Sequence, residues 1–490
     1  MSIATASVLG ASGLGRDLAN CTRQRLCNGE YLCADVCKLG TVVPDAHASR
    51  ALKLQRALQY DDRLARQTFV GSHNSAISLA YGYGIEEDGF ERLLNTTLFV
   101  NDDVGEGVDS SFTLTDQLDL GVRHLEIDIT AGYFRFPPTL HDFFVCHSPV
   151  PLDEGQILKV ELAARRQHIA LGDWRPERLS CLGTTLPLKT VLLEVRAWLD
   201  AHAREFVVLY LDTKPLTMTG EAQANAMSAL LRGVFNESMW TWRDGPPEVL
   251  LNQTVSSLIE RGKRLYIEDH ADAYRKATDR IVYTPAVWSH QFGPTALSAF
   301  PECAIGDDRD WYTNVSGPAR PFARGLYNGG STLSDGSQKH AALRAAATAC
   351  GVGVVSPNYL QPGDMSAFVW TWDHGEPAGD DASGQRRCVV QKPNGRWATT
   401  DCEHAAASLP LACRLADNDR VWKLLPAASN RRSAVVHTST RPACGAGWLA
   451  RPPTNGFANG LLRAAAAAVT NASVLLNVSR DGLAGSPAWL

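Results

Sequence analysis

The chain has 490 residues, 45% of them hydrophobic and 20% charged, with a formal net charge of -5. This length accommodates one large domain with appendages or two to three ordinary domains. The charge, free of like-sign blocks, gives no reason to expect a nucleic-acid partner. No uncharged apolar run is long enough for a transmembrane segment: the best stretch, Leu461–Val478, is interrupted by Arg463, Asn471 and Asn477.

Twelve cysteines exceed what a cytosolic enzyme needs, and they cluster as Cys21, Cys27, Cys33, Cys37 and as Cys388, Cys402, Cys413, Cys444. Disulfide stapling is the expectation. Seven Asn-x-Ser/Thr sequons, at Asn20, Asn95, Asn236, Asn252, Asn314, Asn471 and Asn477, stand where roughly two arise by chance. Both signals point to a secreted protein or the secretory lumen. Residues 1–15 are small and mildly apolar but lack the basic n-region and firm h-region of a signal peptide.

In chain order, residues 1–50 form a Cys-rich N-terminal segment. Its cysteine spacing lacks the Cys-x-x-Cys knuckles of zinc sites, so a disulfide-held cap is expected. Leu52, Leu54, Leu58 and Leu64 permit a helix over 51–66. Strand patterns follow at 67–72, 122–129, 142–146 and 205–211, with helical patterns at 112–120 and 188–203. Further strands are expected at 264–267, 281–288, 351–356 and 368–372. Phe206-Val-Val-Leu-Tyr-Leu211 is almost wholly apolar, as in a strand buried on both faces. Eight strands with intervening helices predict an α/β fold, a distorted TIM-type (β/α)8 barrel over residues 51–377. Residues 378–490 read as a Cys-containing C-terminal extension. Around 375–414, where Gly375-Glu376-Pro377 precedes Cys388, Trp397, Cys402 and Cys413, it is weakly lectin-like.

Several strands end in chemistry: Gly71-Ser72-His73-Asn74-Ser75, Glu126-x-Asp128, Cys146-His147-Ser148 and Asp212. Strand ends that gather acids and histidines are what a barrel active site looks like in sequence. Histidines and carboxylates gathered in this way can supply a base, an acid and ligands for a cation. Cys146 is expected to be a buried small residue or half of a disulfide, not a nucleophile.

Together with Thr115-x-Gln117-Leu118-x-x-Gly121-Val122-Arg123 and Glu205-Phe-Val-Val-Leu-Tyr-Leu-Asp212, these motifs resemble the catalytic X region of phosphatidylinositol-specific phospholipase C. The resemblance is strong from Thr68 to Lys214 and weaker to Trp372. It implies His73 as general base and His147 as general acid. In the metal-dependent branch it implies Asn74, Glu126, Asp128 and Asp212 as ligands of Ca2+, with another divalent ion such as Mg2+ as the alternative. The metal-independent bacterial branch has arginine where this chain has Asp128, and Asp212 stands where glutamate is common. Three carboxylates and an amide oxygen form a hard-oxygen set suited to calcium. The implied substrate is a phospholipid or a soluble phosphodiester, reached by peripheral membrane contact, with a cyclic phosphate as the first product.

Lys214, Glu268, Asn358 and Trp370 sit at or beyond other strand ends and are expected to contact substrate, whereas Arg123 is expected to form a buried ion pair. Two alternatives stay open. One is a glycerophosphodiester phosphodiesterase or sphingomyelinase D-like enzyme, although the former family has His-Arg-Gly where this chain has His73-Asn74-Ser75. The other is an inactive secreted glycan-binding protein, against which the intact histidines and acids speak.

Overall fold

The computed structural model describes residues 21–28, 32–83, 112–131, 143–146, 162, 165, 186–213, 218–284, 286–288, 298–303, 325–327, 338–356, 360, 362–377, 388–427 and 444–479. The first pair of strands, β1 (Arg23–Asn28) and β2 (Leu32–Cys37), forms an antiparallel hairpin closed by the Cys21–Cys37 disulfide. Helix α1 (Ala46–Gln59) follows, its first turn capped by Asp45, whose carboxylate accepts from Ala48 N at 2.7 Å. Strand β3 (Phe69–Ser72) leads into the His73 turn. Helix α2 (Leu114–Leu120) is capped by Thr113 and ends at Gly121, whose φ of 120° suits glycine and turns the chain into β4 (His124–Ala131).

Next come β5 (Phe143–Val145), β6 (Leu186–Pro187), α3 (Leu188–Ala201), β7 (Val207–Thr213), α4 (Glu221–Phe235), α5 (Pro247–Leu251), α6 (Val255–Glu260) and β8 (Leu265–Asp269). Helix α3 buries Leu188, Val191, Leu192, Val195, Trp198 and Leu199, the i, i+3, i+4, i+7 pattern that lays one stripe on a sheet. Each such side chain contributes about 1.5–3 kcal/mol when fully buried. Strand β9 (Gly325–Tyr327), helix α7 (Gln338–Ala349) and strand β10 (Val354–Ser356) complete this part.

Six of the described strands pair in parallel in the order β9-β10-β3-β4-β7-β8, and Tyr283 adds a parallel bridge to Glu268. Alternation along the strands separates two cores. On one face Phe69, Val208, Tyr266 and Val354 pack with Trp240, Tyr283 and Trp288. On the other, Val70, Leu125, Ile127, Leu209, Leu211, Ile267 and Val355 belong to the core that includes the apolar stripes of α3 and α4. This is the two-sided burial that parallel sheets require.

Three strand expectations are corrected. Residues 143–145 do form a strand, but β5 pairs antiparallel with Ile129–Ala131, because β4 runs past the parallel ladder and its free edge takes a local partner. The segment 368–372 is not a barrel strand: residues 362–368 coil as a 3-10 helix and Trp372 bridges to Trp397 of the C-terminal part. Among the described residues, the apolar run 281–288 narrows to one bridge, at Tyr283. Strand β9 escaped the sequence reading because Gly325-Leu-Tyr327 is too short to show a period.

The C-terminal part is a sheet of its own. Strands β11 (Cys388–Gln391) and β12 (Trp397–Thr400), helix α8 (Cys402–Ser408), strands β13 (Leu411–Leu415), β14 (Asn418–Leu425) and β15 (Trp448–Leu449), helix α9 (Gly456–Ala467) and strand β16 (Val474–Ser479) follow in order. The sheet order is β12-β11-β16-β13-β14, with β15 on β13, and Cys388–Cys402 and Cys413–Cys444 staple it. Asn459 joins it to the parallel part. Its amide donates to Trp370 O (3.2 Å) and Gly395 O (2.9 Å), and its oxygen accepts from Gln391 Nε2 (2.7 Å) and Trp397 Nε1 (2.8 Å). Cys303–Cys350 adds a further disulfide, and no described cysteine is free. No helix among the described residues is long and apolar enough to cross a membrane.

Candidate active site

Register places three rows of side chains across one face of β4, β7 and β8. His124, Val208 and Tyr266 form the first row, Glu126, Tyr210 and Glu268 the second, and Asp128 with Asp212 the third. The rows change from largely apolar to acidic toward the C-terminal ends of the strands. Neighbouring strands lie about 4.8 Å apart, so Asp128 and Asp212 stand side by side. Asp128 and Glu126 are buried, and Asp212 is partly exposed.

His73 lies one residue beyond β3, buried, with Nε2 3.7 Å from Glu126 Oε2. Its position is set by a hydrogen-bonded turn. Asn74 takes a left-handed φ of 43°, a conformation asparagine tolerates better than most residues. Ser75 N donates to Glu126 O (2.8 Å), and Glu126 N donates back to Ser75 Oγ (3.0 Å). From α2, Gln117 Nε2 donates to Ser75 O (2.8 Å), while its Oε1 accepts from Ser72 Oγ (2.6 Å). All of these side chains are buried, so the turn carrying His73 and Asn74 is fastened to both β4 and α2.

On the other flank, Cys146 N donates to Asp128 O at 3.1 Å, and Cys146 is buried and disulfide-bonded, as expected. Tyr83 donates to Val145 O at 2.6 Å. Burial, with the Asp128 charge adding to it, pushes the Tyr83 hydroxyl far above its ordinary range. The chain therefore passes beside Asp128 immediately before His147. His147, Lys214 and Asn358 lie outside the described residues.

Two expected substrate contacts have other surroundings. Glu268 is fully buried and accepts from the backbone N–H of Val287 (2.6 Å) and Trp288 (3.2 Å), with His124 Nε2 3.9 Å away, so it braces the 287–288 segment. Trp370 is also buried, packs edge-on to Trp397 at 5.6 Å and receives Asn459 on its carbonyl, which places it at the seam with the C-terminal sheet. Arg123 makes the expected buried pair: Nε is 2.9 Å from Glu205 Oε2, and the guanidinium lies over Trp198. Burial opposes ionisation of Glu205, but the Arg123 and Arg56 guanidinium charges outweigh it and hold the carboxyl well below the usual range.

His124 and Tyr210, to which the sequence assigned no role, share this face with the acids and stack at 6.4 Å. The signal was present in the strict alternation His124-x-Glu126-x-Asp128 and Tyr210-x-Asp212. Asp269, behind Asp212, accepts from Thr213 and from Ala271 N (2.8 Å). Burial pushes its carboxyl up to about 7 against those bonds, with the Asp212 charge adding to the rise.

Chemically, a buried imidazole beside a carboxylate can take and return a proton. The oxygen set of Asn74, Glu126, Asp128 and Asp212 fits calcium in donor type, and two carboxylates in register are eased by a cation between them. Among the described residues, no group of three or more His, Cys, Asp or Glu side chains converges as a metal cage. Calcium tolerates such a partial set, because waters and substrate oxygens complete its shell.

No protein-family model and no curated protein matches the chain. Among solved structures, the calcium-dependent phosphoinositol-specific phospholipase C of a Pseudomonas sp. is similar over 61% of this chain and 91% of its own, at 13% identity and a TM-score of 0.30. Two variants of the phosphatidylinositol-specific phospholipase C of Staphylococcus aureus are similar over 66% of this chain, at 13% and 15% identity and TM-scores of 0.36, with 98% and 99% of their own chains covered. At these TM-scores the likeness decides neither the fold nor the activity.

Proposed function

We propose that the chain is a secreted phosphoric diester hydrolase of the phosphatidylinositol-specific phospholipase C type, in its metal-dependent branch, acting on a phosphoinositide-type or related diester. Its parallel strands would belong to a closed (β/α)8 barrel with the site at their C-terminal ends. The observation that carries the reading is the placement of His73 against Glu126, beside the Asp128–Asp212 register pair.

His73 takes the proton of a substrate hydroxyl vicinal to the phosphate, whose oxygen bonds to phosphorus as the bond to the leaving alcohol breaks. His147, next in sequence to Cys146, whose N–H is bonded to Asp128 O, would protonate that alcohol. The product is a cyclic phosphodiester, which water opens with the two histidines exchanging roles. Asn74, Glu126, Asp128 and Asp212 would hold calcium, which supplies positive charge for the phosphate oxygens. Lys214, two residues past Asp212 in sequence, would add a cation for the phosphate. Glu126, by its contact with His73, keeps the imidazole turned toward the site.

The test is a panel of diesters, with phosphatidylinositol, glycerophosphoinositol, glycerophosphocholine and sphingomyelin each incubated with the protein and calcium. A cyclic phosphate from the inositol diesters alone supports the reading. Direct monoester formation from glycerophosphocholine assigns a glycerophosphodiesterase instead, and the absence of turnover on the whole panel sinks the enzyme reading.

A further inference from the structure

We propose that Asn236 and Asn252 are N-glycan acceptors, that their glycans cover the end of the parallel sheet opposite the candidate active site, and that Asn477 stays bare. Each opens an Asn-x-Ser/Thr sequon: Asn236-Glu-Ser238, Asn252-Gln-Thr254 and Asn477-Val-Ser479. Sequence alone ranks them equally. The structure separates them.

Asn236 is exposed just past α4. Two residues on, Ser238 O accepts from Arg264 N (2.7 Å), and Met239 bridges Leu265, the first residue of β8. Asn252 is exposed at the end of α5, and its neighbour Gln253 O accepts from Leu64 N (2.8 Å) while Thr254 bridges Arg63, just ahead of β3. Both acceptors therefore stand where strands begin, whereas His73, Asp128 and Asp212 stand where strands end. Asn252 Nδ2 also donates to Glu248 O (2.8 Å), a surface bond that the remaining N–H of a substituted amide can keep. Asn477 differs: it is half-buried in β16, a strand paired on both sides, between buried Leu476 and Val478, with Nδ2 on Ala450 O at 2.9 Å. A sugar there would have to enter the sheet.

The compartment has support besides the sequons, since four described disulfides and no described free thiol suit an oxidising lumen. In the transfer, Asn Nδ2 bonds to the anomeric carbon of a lipid-diphosphate-linked oligosaccharide. The anomeric C–O bond breaks, the lipid diphosphate leaves, and the amide gives up one proton. Glycans at this end leave the opposite end free to approach a lipid surface, a consequence that rests on the proposed activity; the acceptor assignment does not.

The full chain is secreted from a eukaryotic host, released from its glycans by peptide-N-glycosidase in heavy-oxygen water, and mapped by mass spectrometry. Heavy-oxygen aspartate at 236 and 252, with unmodified Asn477, is the expected result. A bare Asn236 or Asn252 in the secreted protein overturns the proposal, as does a glycan at Asn477. The Asn236→Gln/Asn252→Gln variant, if secreted, should migrate faster by two glycans and turn over the diester that wild type turns over. Lost turnover in a folded variant contradicts the placement of the glycans away from the site.

Discussion

A methyl group added at Gly71 is the sharpest test of how the His73 strand sits on its neighbour. An ideal Cβ there would stand 1.9 Å from Ser356 Oγ, 3.0 Å from Ser356 Cβ and 3.0 Å from Val354 Cγ1. Ser356 and Val354 are fully buried on β10, which is laddered to β3 through Val354 and Phe69, so the strands cannot part without losing hydrogen bonds. Overpacking a core costs about 1–3 kcal/mol, and contacts this close on a short side chain place Gly71→Ala at the upper end. Ser356 Oγ makes no hydrogen bond among the described residues, so Ser356→Gly removes two of the three clashing atoms at the cost of a strand glycine, about 0.5–1 kcal/mol. The double variant should therefore be more stable than the sum of the single changes by about 1–2 kcal/mol. Urea unfolding at constant m reads these differences. A Gly71→Ala protein within about 0.5 kcal/mol of wild type, or strictly additive changes, refutes the packing of β3 on β10.

Three further outcomes follow from the same geometry. Glu205→Gln leaves the Arg123 and Arg56 guanidinium groups buried without their counter-charge and should cost about 3–5 kcal/mol in chemical denaturation. Because the folded carboxyl is held below its ordinary value, the wild-type contribution is complete above the ordinary glutamate pKa of about 4.3 and is lost as pH falls toward the folded value. The variant should lose less stability on acidification, and an equal acid slope contradicts the pairing. Gln117→Leu unfastens the His73 turn and should lower kcat by about 100-fold with a much smaller change in KM, with Gln117→Glu, which keeps an acceptor for Ser72, recovering part of the rate; a loss confined to KM would speak against positioning. Asn459→Leu removes four hydrogen bonds at the seam with the C-terminal sheet, each worth about 1 kcal/mol, leaving Gln391 Nε2 only its bond to the backbone O of residue 459, and should lower the urea midpoint.

The residues that touch one another through local pattern were legible in the sequence. Apolar runs ending at His73, Glu126-x-Asp128 and Asp212 located β3, β4 and β7, and the helical stripe of α3 is as readable in Leu188, Val191, Leu192 and Val195 as in the structure. The disulfide-held character of the C-terminal part was visible in Cys388, Cys402, Cys413 and Cys444. What sequence could not show depends on non-local pairing. Phe143–Val145 has the composition of a barrel strand, yet it docks on the overhanging edge of β4. Trp370 and Trp372 look like barrel aromatics, yet packing against Trp397 and the Asn459 hydrogen bonds draw them to the other sheet. Glu268 looks like a strand-end acid, yet two backbone N–H groups from 287–288, far along the chain, take its carboxylate. The role of Gln117 is likewise set by Ser72 and Ser75, more than forty residues earlier.

The central claim, that His73 is the base of a calcium-assisted diester cleavage, is tested most directly by phosphorus NMR of phosphatidylinositol incubated with calcium and either wild-type protein or His73→Ala. Wild type should generate a cyclic phosphodiester that a chelator abolishes, and the variant should be slower by about 100-fold or more. Equal turnover by the two proteins, or none by wild type, contradicts it.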